Sequence, residues 1–404
     1  MPEPSSAAGA AAADALGRAD LVAAEELARA ALAEGGSLSA RLTLAQALAW
    51  QGRGHDADAV LAEIDPTTLT ETDLMAWALP RAANQFWMLD EPERATAFLR
   101  ATRARLRSAT TVDALLSTFA MNAGSPQRAL ELADSVLATP DADHRAIGWA
   151  ASAAALSSAR MGVFAPVDSL AARAVSSGNP GLLRFTSAFG QTTALVFHGA
   201  VDRAETLARE LVSDAQPSRA IGQLLVADVL LMRGDRDGAV PLLRESASAL
   251  SATGYSWGPL AWMLLAQALG QQGLAVDAAK ALSRAESRHG LKSMLFAPEL
   301  ALARAWTCAA RRDPLGAIAA AREAARAASR GGQSAVTLRA LHDAVRLGDG
   351  RAAESIAALE LDCVFARLAL EHARAQAVQD QEGLDAVAKR FAALGMSRGS
   401  LNTP

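Results

Sequence analysis

SLSARLTLAQALAWQGRGHDADAVLAEIDP, residues 37–66, reads as two helices joined by a reversal. In the first, Leu42, Leu44, Ala45, Leu48 and Ala49 approximate the i, i+3, i+4, i+7 spacing of an amphipathic helix. In the second, Ala57, Val60, Leu61 and Ile64 share one face, and Pro66 stops the run. Gly52 supplies the residue on which the chain can reverse. Ala57, five positions later, is small enough for two helix backbones to approach closely.

Outward from this unit the step repeats as Gly124/Ala129, Gly199/Ala204, Gly234/Ala239, Gly273/Ala278 and Gly348/Ala353. After Gly162 the alanine slot holds Val167, and near Asp313 it is Arg312 that occupies the glycine slot, with Ala317 following. Further turns fall near Gly17, Asp90 and Asp380. The pattern predicts about eleven hairpins of roughly 37 residues, close to the ~34 of tetratricopeptide units. The predicted fold is therefore all-α: a tetratricopeptide-like α-solenoid of about eleven antiparallel helix pairs. Residues 1–16 read as an N-terminal segment, partly flexible or helical; 17–396 as one continuous array; 397–404 as a disordered tail.

Composition supports a helical scaffold. Hydrophobic residues make up 51% of 404, enough for an extended core, while aromatic residues are only 4%. Lys280, Lys292 and Lys389 are the sole lysines, so 39 − 3 = 36 of the basic residues are arginine, as in an alanine-rich chain from a GC-rich genome. A net charge of −4 argues against a free-standing nucleic-acid binder. Cys308 and Cys363 stand alone in apolar runs, which excludes a disulfide framework and fits core thiols in a reducing cytoplasm. The N-terminus lacks a basic region and a signal-peptide core. The most apolar stretch, Leu260 to Leu269, is too short to span a bilayer.

Catalytic signatures are missing from the sequence. There is no Gly-x-x-x-x-Gly-Lys-Ser/Thr phosphate loop, no Gly-x-Ser-x-Gly elbow and no His-Glu-x-x-His. The six histidines are scattered over different units and read as surface or turn residues. No catalytic, cofactor or metal residue is assigned, and no enzyme activity is expected. The tryptophans read first as core fillers between hairpins. The segment Ala303–Leu347 carries eight arginines against three carboxylates, which is either a solvated face or a surface for an anionic partner.

Within that segment, PELALARAWTCAARRDPLGAIAAAREAARAASRGGQSAVTLRALHDAVRLGDGRAAESIAAL, residues 298–359, resembles the helical-repeat region of large LuxR-type transcriptional regulators of actinobacteria. The matching features are Ala303-Arg304-Ala305-Trp306, the alanine-rich helix after it, and Leu341-His342-Asp343-Ala344-Val345-Arg346-Leu347-Gly348. LTLAQALAWQGRGHDADAVLAEI resembles an earlier repeat of the same proteins, and GLDAVAKRFAALGM, residues 383–396, the helix before their DNA-binding domain. Such regulators carry an N-terminal ATPase, a helical-repeat sensor arm and a C-terminal helix-turn-helix. This sequence has neither the phosphate loop nor the helix-turn-helix.

The resemblance implies a cytoplasmic sensor and oligomerisation arm that binds an inducer or a regulatory protein on a concave helical surface and self-associates. It implies no direct DNA binding by this chain and no membrane. The alternative is a stand-alone tetratricopeptide-like interaction scaffold unrelated to transcription. In either case Arg304, Trp306, Arg339 and His342 are the candidate groove, because first helices line the inner face of such superhelices. A cationic fork and an aromatic plate there would suit an anionic or planar group.

Overall fold

The computed structural model describes residues 4–17, 20–35, 37–178, 182–214, 216–251 and 253–396. Among the described residues there are 22 α-helices and no strand. They form eleven antiparallel hairpins, from Pro4–Gly17 paired with Leu21–Ala33 to Val364–Ala377 paired with Gln381–Ala393. The first hairpin thus begins inside the segment 1–16, and the predicted tail 397–404 lies outside the described residues.

The turns behave as the glycine spacing requires. Gly52, Gly124, Gly162, Gly199, Gly234, Gly273 and Gly348 are all left-handed, with φ between 75° and 98°. Where glycine is missing, another residue accepts the same conformation: Asp90 (φ 56°), Arg312 (φ 62°) and Gln379 (φ 53°). For these a Cβ makes the left-handed region costly, so the geometry is imposed by the hairpin. The alanines that follow the turns at 57, 129, 204, 239 and 278 are each 0% exposed, as are Val167 and Ala317 in the variant slots. At Gly348 the register slips: Ala353 is half-buried, and Ala352 and Ile356 fill the contact of a helix only five residues long.

First helices pack on one another as well as on their own partners. Where His144–Met161 meets Leu183–Phe197, a Cβ on Gly190 would fall 2.7 Å from the Ala155 carbonyl oxygen. Where Trp257–Gln271 meets Ala297–Ala310, a Cβ on Gly270 would fall 2.6 Å from the Trp306 backbone. The solenoid also coils back on itself. The first helix of the fifth hairpin, His144–Met161, packs on that of the tenth, Ser334–Arg346; the sixth, Leu183–Phe197, packs on the eleventh, Val364–Ala377. Leu156, Phe189, Leu225, Trp257, Leu264 and Phe296 come from successive hairpins into one buried cluster, which fills the inner face.

Overfilling a hairpin contact should destabilise the whole array. Ala204→Leu is expected to cost about 1–3 kcal/mol, and Gly270→Ala at least as much because its Cβ meets backbone. Urea unfolding followed by circular dichroism measures both, with the exposed Ala138→Leu as the neutral control.

Candidate partner-binding groove

The four residues assigned from sequence do not share one surface. Trp306 is 0% exposed, whereas Arg304, two residues earlier on the helix Ala297–Ala310, is exposed and paired with Glu286 at 2.8 Å. Two residues on an α-helix are about 200° apart, so these side chains leave on opposite sides. Arg339 and His342, three residues apart on Ser334–Arg346, share the buried side. The Trp306 indole donates to Asp343 Oδ2 (3.3 Å) on that same helix, and Arg346 lies over its ring at 4.5 Å.

The inner face carries a chain of buried, mutually paired charges. Arg160 meets Glu299 with both terminal nitrogens (2.9 and 3.1 Å) and also donates to Gln333 Oε1 (2.6 Å) and the Leu295 carbonyl (2.8 Å). Arg339 Nη1 reaches Asp228 Oδ1 at 3.0 Å. Burial opposes the charge on Arg339, but Asp228, Asp343 and Glu299 outweigh it and hold its pKa above the ordinary arginine value. Arg346 bridges Asp343 (2.6 Å) and Gln271 (3.0 Å). Such groups are expensive to bury and stay charged only because each is paired.

His342 and His372 are the histidines that do not lie at the surface or in a turn. They are buried at 4% exposure each and face one another, Nε2 to Nδ1, at 3.0 Å. His342 also stacks on Phe391 and meets the edge of Phe365. Burial, the neighbouring His372 and the Arg346 cation push His342 well below the usual imidazole range; burial and Arg346 lower His372 to about 4. Neither ring accepts a proton readily at neutral pH. Isolated motifs could not reveal this pair, because its two members come from different hairpins.

The arginine-rich segment 303–347 is largely neutralised in place. Arg322 pairs with Asp349, Arg326 and Arg330 with Glu323, Arg339 with Asp228, and Arg346 with Asp343. Arg311 and Arg312 have no ion-pair partner among the described residues.

Arg311 opens onto a groove of about 920 Å³, lined also by Trp262, Val276, Lys280, Ser283 and Arg284. Its wall is the second helix of the eighth hairpin, Ala275–Glu286. Ala278, Ala281 and Ala285 bury one side of that helix. Val276, Lys280, Ser283 and Arg284 recur every three to four residues on the other side. Among the described residues neither Lys280 nor Arg284 has an ion-pair partner. The carboxylates nearest in sequence are engaged elsewhere: Asp277 with Arg244, Glu286 with Arg304, and Asp313 with the Gly316 amide. The Trp262 indole donates to Ser251 Oγ at 3.2 Å, so its N–H is already used. Val276 is 68% exposed in this lining. Anionic groups and an apolar side chain are what this lining would accept.

One signal for the groove stood in the sequence and was missed. The second position of the second helices is polar in most hairpins: His55, Glu93, Gln127, Asp168, Asp202, Asp237, Glu354 and Glu382. In the first, eighth and ninth hairpins it is apolar and exposed: Val22, Val276 and Leu315, at 64%, 68% and 80%.

No family model matches this chain, and no curated protein does. Among solved structures it is similar to the crystal structure of a Rap protein complexed with competence and sporulation factor. That likeness covers 88% of this chain and 99% of the other, with a TM-score of 0.53 at 13% identity. A second similar structure is the APC/C hetero-tetramer Cut9-Hcn1, covering 96% of each chain with a TM-score of 0.31 at 14% identity, a superposition too loose to build on. At such identity the first likeness speaks for the fold alone, and with the eleven hairpins it defines a tetratricopeptide-like α-solenoid. Among the described residues no helix is long and apolar enough to cross a membrane.

The histidine pair should make the fold acid-sensitive. Both folded-state pKa values lie below that of the unfolded chain, near 6.5, so the unfolded chain takes up protons first as pH falls. The stability difference is absent above pH 6.5 and grows against the fold down to about pH 4. His372 alone accounts for about 3 kcal/mol across that window. Unfolding measured from pH 7.5 to 4.5 should show this slope, and His342→Gln/His372→Gln should flatten it.

Proposed function

We propose that the chain is a non-catalytic protein-interaction scaffold, and that the groove over Ala275–Glu286 docks an acidic partner segment anchored by one apolar side chain. The observation that carries this reading is the set of unpaired cations, Lys280, Arg284 and Arg311, around Trp262 and the exposed Val276. Elsewhere the chain pairs most of its inner and seam-facing arginines with carboxylates. Here it leaves three cations beside apolar surface, where a partner's Asp or Glu would find charge and its Leu or Phe a hydrophobic seat. Trp and Arg are also the residue types on which binding energy concentrates.

A second reading takes the scaffold as the sensor and oligomerisation arm of a LuxR-type regulator, with a regulatory protein or an inducer as its partner. The resemblance of residues 298–359 supports it, and it implies a cytoplasmic actinobacterial protein that does not itself contact DNA. The flanking reading frames test this reading: a helix-turn-helix or a phosphate-loop ATPase encoded in frame favours it, and neither being present removes it.

The groove is tested with short acidic peptides carrying one Leu or Phe, against the same peptides with Lys in place of Glu. The acidic set should bind saturably by fluorescence anisotropy and weaken with added salt. Lys280→Glu/Arg284→Glu should lower affinity roughly 10- to 100-fold, from about 1–3 kcal/mol of lost and reversed surface charge interactions, with the melting temperature nearly unchanged. Equal binding by the reversed-charge variant, or no preference for acidic peptides, would sink the assignment.

A further inference from the structure

A second opening lies at the seam between the superhelical turns, away from the cationic groove. Pro80 interrupts the helix Glu71–Ala83, and the chain continues as a π-helical turn, Asn84–Met88. Proline removes a backbone donor, and single π turns recur at functional sites. This turn packs against the segments that flank the eighth hairpin, before Trp257 and after Glu286. Lys292 Nζ donates to the Trp87 carbonyl at 2.6 Å, Asp90 accepts from the Lys292 amide at 3.1 Å, and the Tyr255 ring stands 6.3 Å from that of Trp87.

Between these parts is a cleft of about 140 Å³, lined by Trp50, Pro80, Asn84, Trp87, Met88 and Tyr255 among others. Three of these are aromatic, and Trp50 at the lip is 46% exposed, unusual for a tryptophan with an apolar cleft beside it. The volume is that of a cavity able to hold one benzene-sized ring. Asn84 is only 3% exposed, and its Oδ1 is buried without a donor. Its Nδ2 donates to the Gly54 carbonyl at 2.8 Å, which fixes which end of the amide is the free acceptor. A buried acceptor left open beside an apolar cleft is placed to take a donor that enters it.

We infer that this cleft binds a small planar aromatic molecule carrying one hydrogen-bond donor, with Asn84 Oδ1 as its acceptor and Trp50, Trp87 and Tyr255 as its walls. The bound molecule bridges the second and third hairpins to the eighth, so binding tightens the seam on which the coil closes. The site stands independently of the acidic-peptide groove, which uses none of the same residues.

Indole is the probe, and 1-methylindole, which lacks the donor, is its control. Tyr255 is the sole tyrosine of the chain, so incorporated 3-fluorotyrosine gives a single ¹⁹F resonance at the site. Indole should shift that resonance saturably, and 1-methylindole should bind at least about tenfold more weakly. Ala49→Leu and Ala83→Leu narrow the cleft at half-buried positions and should abolish the shift. A resonance that does not respond to indole in the unmodified chain overturns the site, whatever the variants do. Retained binding in both folded variants overturns it equally, and equal affinity for 1-methylindole removes the role of Asn84.

Discussion

The ion pair between Arg160 and Glu299 sits where the solenoid meets itself, and the shape of the molecule follows from that meeting. A helical hairpin leaves one apolar face unburied, and stacking covers it only from the sides. Here the inner face is covered as well, because the fifth and sixth hairpins pack on the tenth and eleventh. Arg160 reaches across this junction to Glu299, Gln333 and the Leu295 carbonyl, and Phe296 lies under its guanidinium at 5.2 Å. Removing any one partner would strand a buried charge, which costs far more than the pair contributes. The network therefore fixes the register of one superhelical turn on the next more than it adds stability.

Closing the coil changes where chemistry is available. In an open superhelix the first helices present a lined channel. In this chain they present Leu156, Phe189, Trp257 and Leu300 to one buried cluster, and their polar residues to internal partners. Arg339 and Trp306 are used inside the structure, by Asp228 and by Asp343. What is left open lies on the outer side of a second helix and in the cleft at the seam, where the packing of two turns is incomplete. Both openings have tryptophan in the wall, and they differ in polarity: three cations in one, a single uncharged acceptor in the other.

The hairpins were legible because their causes are local. A left-handed residue and a small residue five positions later are enough to set a turn and a close helix contact, and this holds even where Arg312 replaces glycine. The closure of the coil was not legible, since it depends on partners far apart, such as Arg160 with Gln333 or Gly162 with Leu361. The burial of His342 and His372 follows from the same closure. The separation of Arg304 from Trp306 is a different matter. A spacing of two residues already places them on opposite sides of a helix, and periodicity applied to that pair alone would have divided the candidate site.

The groove over Ala275–Glu286 is one of three places where the chain departs from its own local rule, with Val22 and Leu315 the others. A carboxylate in the first turn of a helix complements the backbone dipole by about 0.3–1 kcal/mol, and the second helices at 93, 168, 202, 237, 354 and 382 place one at the second position. Val276 and Leu315 hold apolar surface in solvent at that position instead, while Asp277 one residue on and Asp313 at the N-cap keep a carboxylate at each helix start. Val22 of the first hairpin makes the same exchange beside Glu25 and Glu26, whereas Val276 is followed by Lys280 and Arg284 in a molecule otherwise so nearly devoid of lysine. The helix dipole is therefore served in the eighth and ninth repeats alike, and what sets the eighth apart is exposed apolar surface beside cations without ion-pair partners among the described residues, the feature on which the proposed docking rests.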